Sequence, residues 1–136
     1  MSDAALSHIP WSVTRAEFIH TARDTGSGGA CLVFLISDEI PFSARAGYAQ
    51  LIIAYARSNE PVTIGDDGTS VLLITEGGVE AGRVVAGRML NLMHRISLQA
   101  TIRAGLAPLG GDPEVSIASA RRRAQMASPA SVVDEG

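Results

Sequence analysis

The feature that most constrains this chain is a continuous apolar run, Ala30-Cys31-Leu32-Val33-Phe34-Leu35-Ile36, set between Gly28-Gly29 and Ser37-Asp38-Glu39. A membrane helix needs about 20 apolar residues, so the run is strand-sized. With no polar residue on either side of the pleat, such a strand has to be covered on both faces and belongs in the middle of a sheet. The cover must come from the rest of the chain. Of its 136 residues, 46% are hydrophobic but only 4% aromatic, so the core is aliphatic and the length suits one domain.

The flanking punctuation predicts the other elements. Thr14-Arg15-Ala16-Glu17 has the spacing of a capping box and predicts a helix from Arg15 to Arg23. A second helix is expected over Ala44–Arg57, ended by Asn59 and Pro61. The β-rich runs Pro61–Ile64 and Thr69–Thr75 flank Gly65-Asp66-Asp67-Gly68, residue types that accept tight-turn backbone angles, so a hairpin is expected there. Val79–Arg95 carries a long amphipathic helical pattern, and Leu98–Leu106 alternates as a half-buried strand. Asp112-Pro113-Glu114 opens a last helix, to about Ala127, with an N-cap, an N1 proline and a favourable acid.

Residues 1–10 read as a flexible leader, 11–127 as a single domain and 128–136 as a flexible tail. After the leading helix the order is βαββαβ plus a helix, the ferredoxin-like or palm arrangement of the α/β (α+β) class. Right-handed crossovers give an antiparallel sheet of order 4-1-3-2, with helices mainly on one face plus the N-terminal helix.

Charge excludes chemistry by type. All 11 basic residues are arginine and the net charge is -3. Without lysine there is no Schiff-base chemistry and no Walker-type phosphate loop. Cys31 alone allows neither an intrachain disulfide nor a Cys-based zinc site, and it reads as inert core. His8, His20 and His94 are not paired at ligand spacing. Arg121-Arg122-Arg123, the one basic cluster, reads as a solvated face or partner contact, so no nucleic-acid partner is expected. Ser27-Gly28-Gly29 precedes a strand instead of opening a helix, which argues against a phosphate cradle. With no secretory signal and no membrane-length run, a cytoplasmic protein without membrane insertion is expected.

Four pieces resemble a known pattern when taken in order. They are the strand and Asp-containing segment LVFLISDEIPF, the Gly65–Thr69 turn, the helix containing Glu80-Ala81 and Val84-Val85-Ala86, and Thr101-Ile102-Arg103-Ala104-Gly105-Leu106-Ala107. The chain resembles a degenerate GGDEF-type domain, the palm-like catalytic fold of bacterial diguanylate cyclases. The resemblance spans about Ala30 to Ala127 and matches Asp38 to the family's first aspartate and Phe42 to its phenylalanine. It places the degenerate signature on Gly65, Asp66, Asp67, Gly68 and Thr69, of which Gly65 and Asp67 keep the family residue.

Active members hold two metal ions and a GTP triphosphate between the first strand and the signature hairpin, and the resemblance makes Asp38 and Asp67 the residues for any residual Mg²⁺ site. The departures argue against catalysis. Gly68 stands where the signature glutamate would be, removing a hard oxygen ligand. Tyr48 stands where a guanine-reading aspartate would be, and the phosphate-holding lysines are absent. No catalytic residue and no cofactor is therefore expected. Arg57-Ser58-Asn59-Glu60 nearly matches the family's product-binding R-x-x-D, making Arg57 and Glu60 candidates for nucleotide binding; the preferred reading of Arg57 is a helix end, where a cation favours the dipole.

These residues imply a pseudoenzyme acting through contacts with another protein or with itself as a homodimer. The alternative is a sensor that binds cyclic di-GMP or GTP without turnover, for which Arg57, Arg103 and Tyr48 are the nearby groups. A residual Asp38–Asp67 enzyme and an unrelated ferredoxin-like module give the same element order, because fold alone does not settle function.

Overall fold

The computed structural model describes residues 12–57, 59–65, 67–98 and 101–135. The expected leader 1–10, Trp11 and Asp66 lie outside the described residues. The apolar run forms β1 (Ala30–Ile36), and all seven of its residues are buried. It pairs antiparallel with β3 (Ser70–Ile74) on one side and β4 (Ile102–Pro108) on the other. β2 (Val62–Ile64) pairs with β3 to close the hairpin. The expected order 4-1-3-2 is present, extended by one strand, β5 (Val132–Val133), at the free edge of β4.

Among the described residues four helices cover the sheet, two to a face. Ala30, Leu32 and Phe34 pack with α2 (Phe42–Tyr55) and α3 (Gly78–Arg95) through Ile52, Ile53, Met89 and Met93. Cys31, Val33 and Leu35 point the other way, into Phe18 and Ala22 of α1 (Arg15–Thr25) and Ile117, Ala120 and Ala124 of α4 (Pro113–Met126). Helices mainly on one face was therefore the wrong expectation. A strand apolar on both sides needs a cover on each, and α4 joins α1 to supply the second. Burying a side chain such as Phe18 or Leu32 contributes about 1.5–3 kcal/mol, and both are fully buried.

Local caps act as their residues suggest. Thr14 and Glu17 form the reciprocal capping box of α1, and Asp112 accepts from the Glu114 N–H to start α4 behind Pro113. The half-buried strand begins later than alternation implies, at Ile102 instead of Leu98. The Leu98 and Ser97 N–H groups instead bond back to Met93 and His94, so this stretch finishes α3.

The segment expected as a flexible tail is docked. Val132 and Val133 run parallel to Ala104 and Gly105, with bonds from Ala130 N–H to the Ile102 carbonyl (2.8 Å) and from Ala104 N–H to Ser131 (2.9 Å). Asp134 pairs with Arg83 of α3. The β-branched pair covers an edge that β4 would otherwise leave unpaired.

α4 lies against β4 with its backbone almost touching the strand, and Gly105 permits this. A Cβ there would come within 2.0 Å of the Ala120 oxygen and 2.2 Å of the Ala124 nitrogen. This close approach sets where the polar side of α4 meets the hairpin.

Candidate functional site

The β2–β3 turn is closed by two backbone bonds, Gly65 N–H to the Thr69 carbonyl (2.8 Å) and Gly68 N–H to the Gly65 carbonyl (3.0 Å). Gly68 has φ +83°, a left-handed angle that suits glycine. Asp67 is fixed from two directions. Its Oδ1 accepts from the Thr69 N–H at 3.0 Å, and its Oδ2 accepts from Arg121 Nη2 at 3.0 Å. Arg121 Nη1 also reaches the Thr69 hydroxyl, at 3.4 Å. Burial works to raise the Asp67 pKa, but the Thr69 hydrogen bonds and the Arg121 guanidinium outweigh it and hold the carboxyl at about 2.

β1 delivers Asp38 to the same place. A cavity of about 130 Å³ is lined by Asp38 and Arg45, by Asp67 on the hairpin, by Arg103 of β4, and by Arg121 and Gln125 of α4. Asp38 is nearly all exposed, 3.8 Å from Arg45, whose own side chain is only 18% exposed. Arg45 Nε donates to the Ile40 carbonyl at 3.2 Å. The cavity thus gathers three guanidiniums around two carboxylates.

No family model matches the sequence, and no curated protein matches it. Solved structures do match. The GGDEF domain of YfiN (TpbB) from Pseudomonas aeruginosa superposes with a TM-score of 0.65 at 16% identity, covering 95% of this chain and 93% of that one. The FimX GGDEF domain from the same organism gives 0.65 at 15% identity, with 92% and 96% covered. DgcB from Caulobacter crescentus, a coiled coil and GGDEF domain in complex with c-di-GMP, gives 0.64 at 11% identity, with 93% and 83% covered. This chain has the GGDEF-domain fold.

Within the GGDEF fold, the sequence reading places the degenerate signature on the turn just described, and Asp38 and Asp67 do line one cavity. The donor set does not suit Mg²⁺. Asp67 is already committed to Arg121 and Thr69, and three cations share the space. Gly68 cannot readily be a glutamate, because a Cβ there would lie 2.9 Å from the Arg45 Cβ, at a positive φ. Among the described residues, no group of three or more His, Cys, Asp or Glu is placed to hold a metal ion.

Arg57 and Glu60 are not presented together in this GGDEF fold. Glu60 is buried; its Oε1 accepts from the Arg57 backbone N–H at 2.8 Å. Arg88 of α3 grips both its oxygens, at 2.5 and 3.2 Å. The Glu60 carboxylate is thus a structural acceptor at the end of α2, and the Arg57 side chain stands exposed beyond it.

Arg121 is the residue sequence reasoning missed: it read as part of a solvated basic face, yet it meets an aspartate 54 positions away. Arg45 was likewise not singled out, whereas Arg103 was. No spacing signal connects the three, which the β1–β4 register and the α4 approach bring together. Cys31 is buried core, its pKa pushed up to about 12 by burial, slightly opposed by Arg15. A larger cavity of about 530 Å³ lies between β2, β3 and the α1–α4 pair, sharing Thr69 and Arg121 with the first. Among the described residues no helix is long and apolar enough to cross a membrane.

Proposed function

We propose that this chain is a non-catalytic, degenerate GGDEF-type domain that serves bacterial signalling as a regulatory or scaffolding module, through contacts with another protein or a second copy of itself. The observation that supports this reading is the Asp67–Arg121 pair. Two-metal catalysis needs carboxylates free to bind the ions. Here one is engaged by a guanidinium, and the position matched to the next is Gly68. Val84 of α3 and Val115 and Met126 of α4 are exposed apolar side chains that a partner would cover. The test is incubation with GTP and Mg²⁺, followed by chromatography for cyclic di-GMP, with light scattering across concentrations to detect self-association. Formation of cyclic di-GMP that Asp67→Ala abolishes would sink the non-catalytic reading.

A second reading is a sensor that binds cyclic di-GMP or GTP without turnover. The three arginines lining one cavity favour it, because guanidiniums suit phosphate oxygens. Calorimetric titration with each nucleotide separates the two readings.

A further inference from the structure

We propose that the 530 Å³ cavity between the sheet and the α1–α4 pair binds a small uncharged molecule, mainly apolar, that carries one hydrogen-bonding group. The inference stands apart from the signature turn and its carboxylates, and it does not depend on whether a nucleotide binds there.

The strand register explains the space. One row of positions crosses the sheet on this face, from Gly105 of β4 through Val33 of β1 and Val71 of β3 to Thr63 of β2. At the Gly105 end the backbone of α4 comes down onto the strand, because no Cβ stands there. Toward β2 the row carries two valines and a threonine, all short, and their floor stays low beside Ile117 of α4. The resulting volume falls within the range of small-molecule sites, about 300–1,000 Å³.

Two observations select the chemistry of the ligand. Thr63 is only 4% exposed, and its hydroxyl makes no hydrogen bond among the described residues. A buried hydroxyl without a partner is unfavourable, and Thr63 lines the cavity, so a ligand atom there can supply the partner. Thr69, the other hydroxyl on the wall, already accepts from Arg121. The second observation is charge. The charged residues that line the space are Arg15, Glu114 and Arg121. Each is about half exposed and already paired, Arg15 with Glu114 and Arg121 with Asp67 at 3.0 Å. The lining therefore selects neither an anion nor a cation. What it offers is an aliphatic surface from Val33, Val71 and Ile117 with one open hydroxyl, which suits an uncharged apolar body bearing a single hydroxyl or carbonyl.

The experiment is methyl NMR of the full chain titrated with benzyl alcohol, toluene and benzoate as probes. Saturable shifts are expected at the methyls of Val33, Val71 and Ile117 with benzyl alcohol and toluene. Thr63→Val should weaken benzyl alcohol about fivefold, the span of one hydrogen bond, and leave toluene unchanged or tighter. Thr63→Ser, which keeps the hydroxyl, should restore benzyl alcohol binding. Removing a hydroxyl that has no partner should also leave Tm unchanged or raised in Thr63→Val. Circular dichroism checks that this variant folds, and Thr63→Ala replaces it if it does not. The proposal is overturned if no probe gives saturable shifts at these methyls, so that the space holds only water. It is overturned equally if a folded Thr63→Val changes both neutral probes alike, or if benzoate binds more tightly than benzyl alcohol. None of these outcomes bears on the non-catalytic reading, which fails separately if cyclic di-GMP forms from GTP.

Discussion

Asp67 and Arg121, 54 residues apart in the chain, meet at 3.0 Å across the cavity at the end of β1. The pair ties the β2–β3 turn to α4. It also sets a protein cation where, by resemblance, a cyclase would place a metal against the same hairpin.

The Asp67–Arg121 contact should be visible in acid stability. Asp67 titrates at about 2 when folded, against an ordinary 3.8, so the unfolded chain takes up its proton first as pH falls. The contribution is complete above about pH 4 and is lost as pH drops through 2. Solvent screening of this half-exposed pair limits it to about 1 kcal/mol. Urea denaturation from pH 2 to 6 should show that decline in the wild type, and a flatter profile in Asp67→Asn.

Restoring the signature glutamate should not restore a cyclase. Gly68→Glu places a side chain at φ +83° with its Cβ 2.9 Å from that of Arg45. A cost of about 1–2 kcal/mol is expected from the left-handed backbone alone. Thermal denaturation should show a lower Tm, and chromatography after incubation with GTP and Mg²⁺ should show no cyclic di-GMP.

Gly105→Ala tests the contact that positions Arg121. The new methyl would meet backbone atoms of Ala120 and Ala124, which cannot swing aside as a side chain can. Overpacking of this kind should destabilise by about 3 kcal/mol. Chemical denaturation measures the loss, and an unchanged midpoint would contradict the close approach of α4 to β4.

The Glu60–Arg88 pair gives a second, independent stability test. Arg88→Leu removes the charge partner of a buried carboxylate, which should cost about 3–5 kcal/mol. Glu60→Leu combined with Arg88→Leu should recover much of that loss, because no buried charge is left unpaired. Urea midpoints of the single and double variants decide between this and a merely peripheral pair.

Much of the frame was legible from short-range signals. The seven apolar residues of β1 required a central, doubly covered strand, and the Thr14–Glu17 and Asp112–Glu114 caps fall at the starts of α1 and α4. The hairpin at Gly65–Thr69 followed from its turn residues. The second sheet face was less legible, because α1 and α4 are far apart in sequence and neither has a pattern that names its partner. β5 was missed for a related reason: two valines are too short a run to read as a strand, and the exposed edge of β4 gives them their conformation.

Apart from β5, the sequence alone determined which local elements form, their order and the aliphatic core, since periodicity, caps and turn chemistry act over a few residues. It also made Asp38 and Asp67 the carboxylates to watch. Only the tertiary structure decided what those carboxylates face. Pairing of β1 with β4, and the backbone contact that Gly105 allows, bring Arg103 and Arg121 to the hairpin. On the other face, Arg88 of α3 meets Glu60 beyond the end of α2. Ion pairs between distant residues depend on where packing leaves each side chain, and no pattern within a single element encodes that.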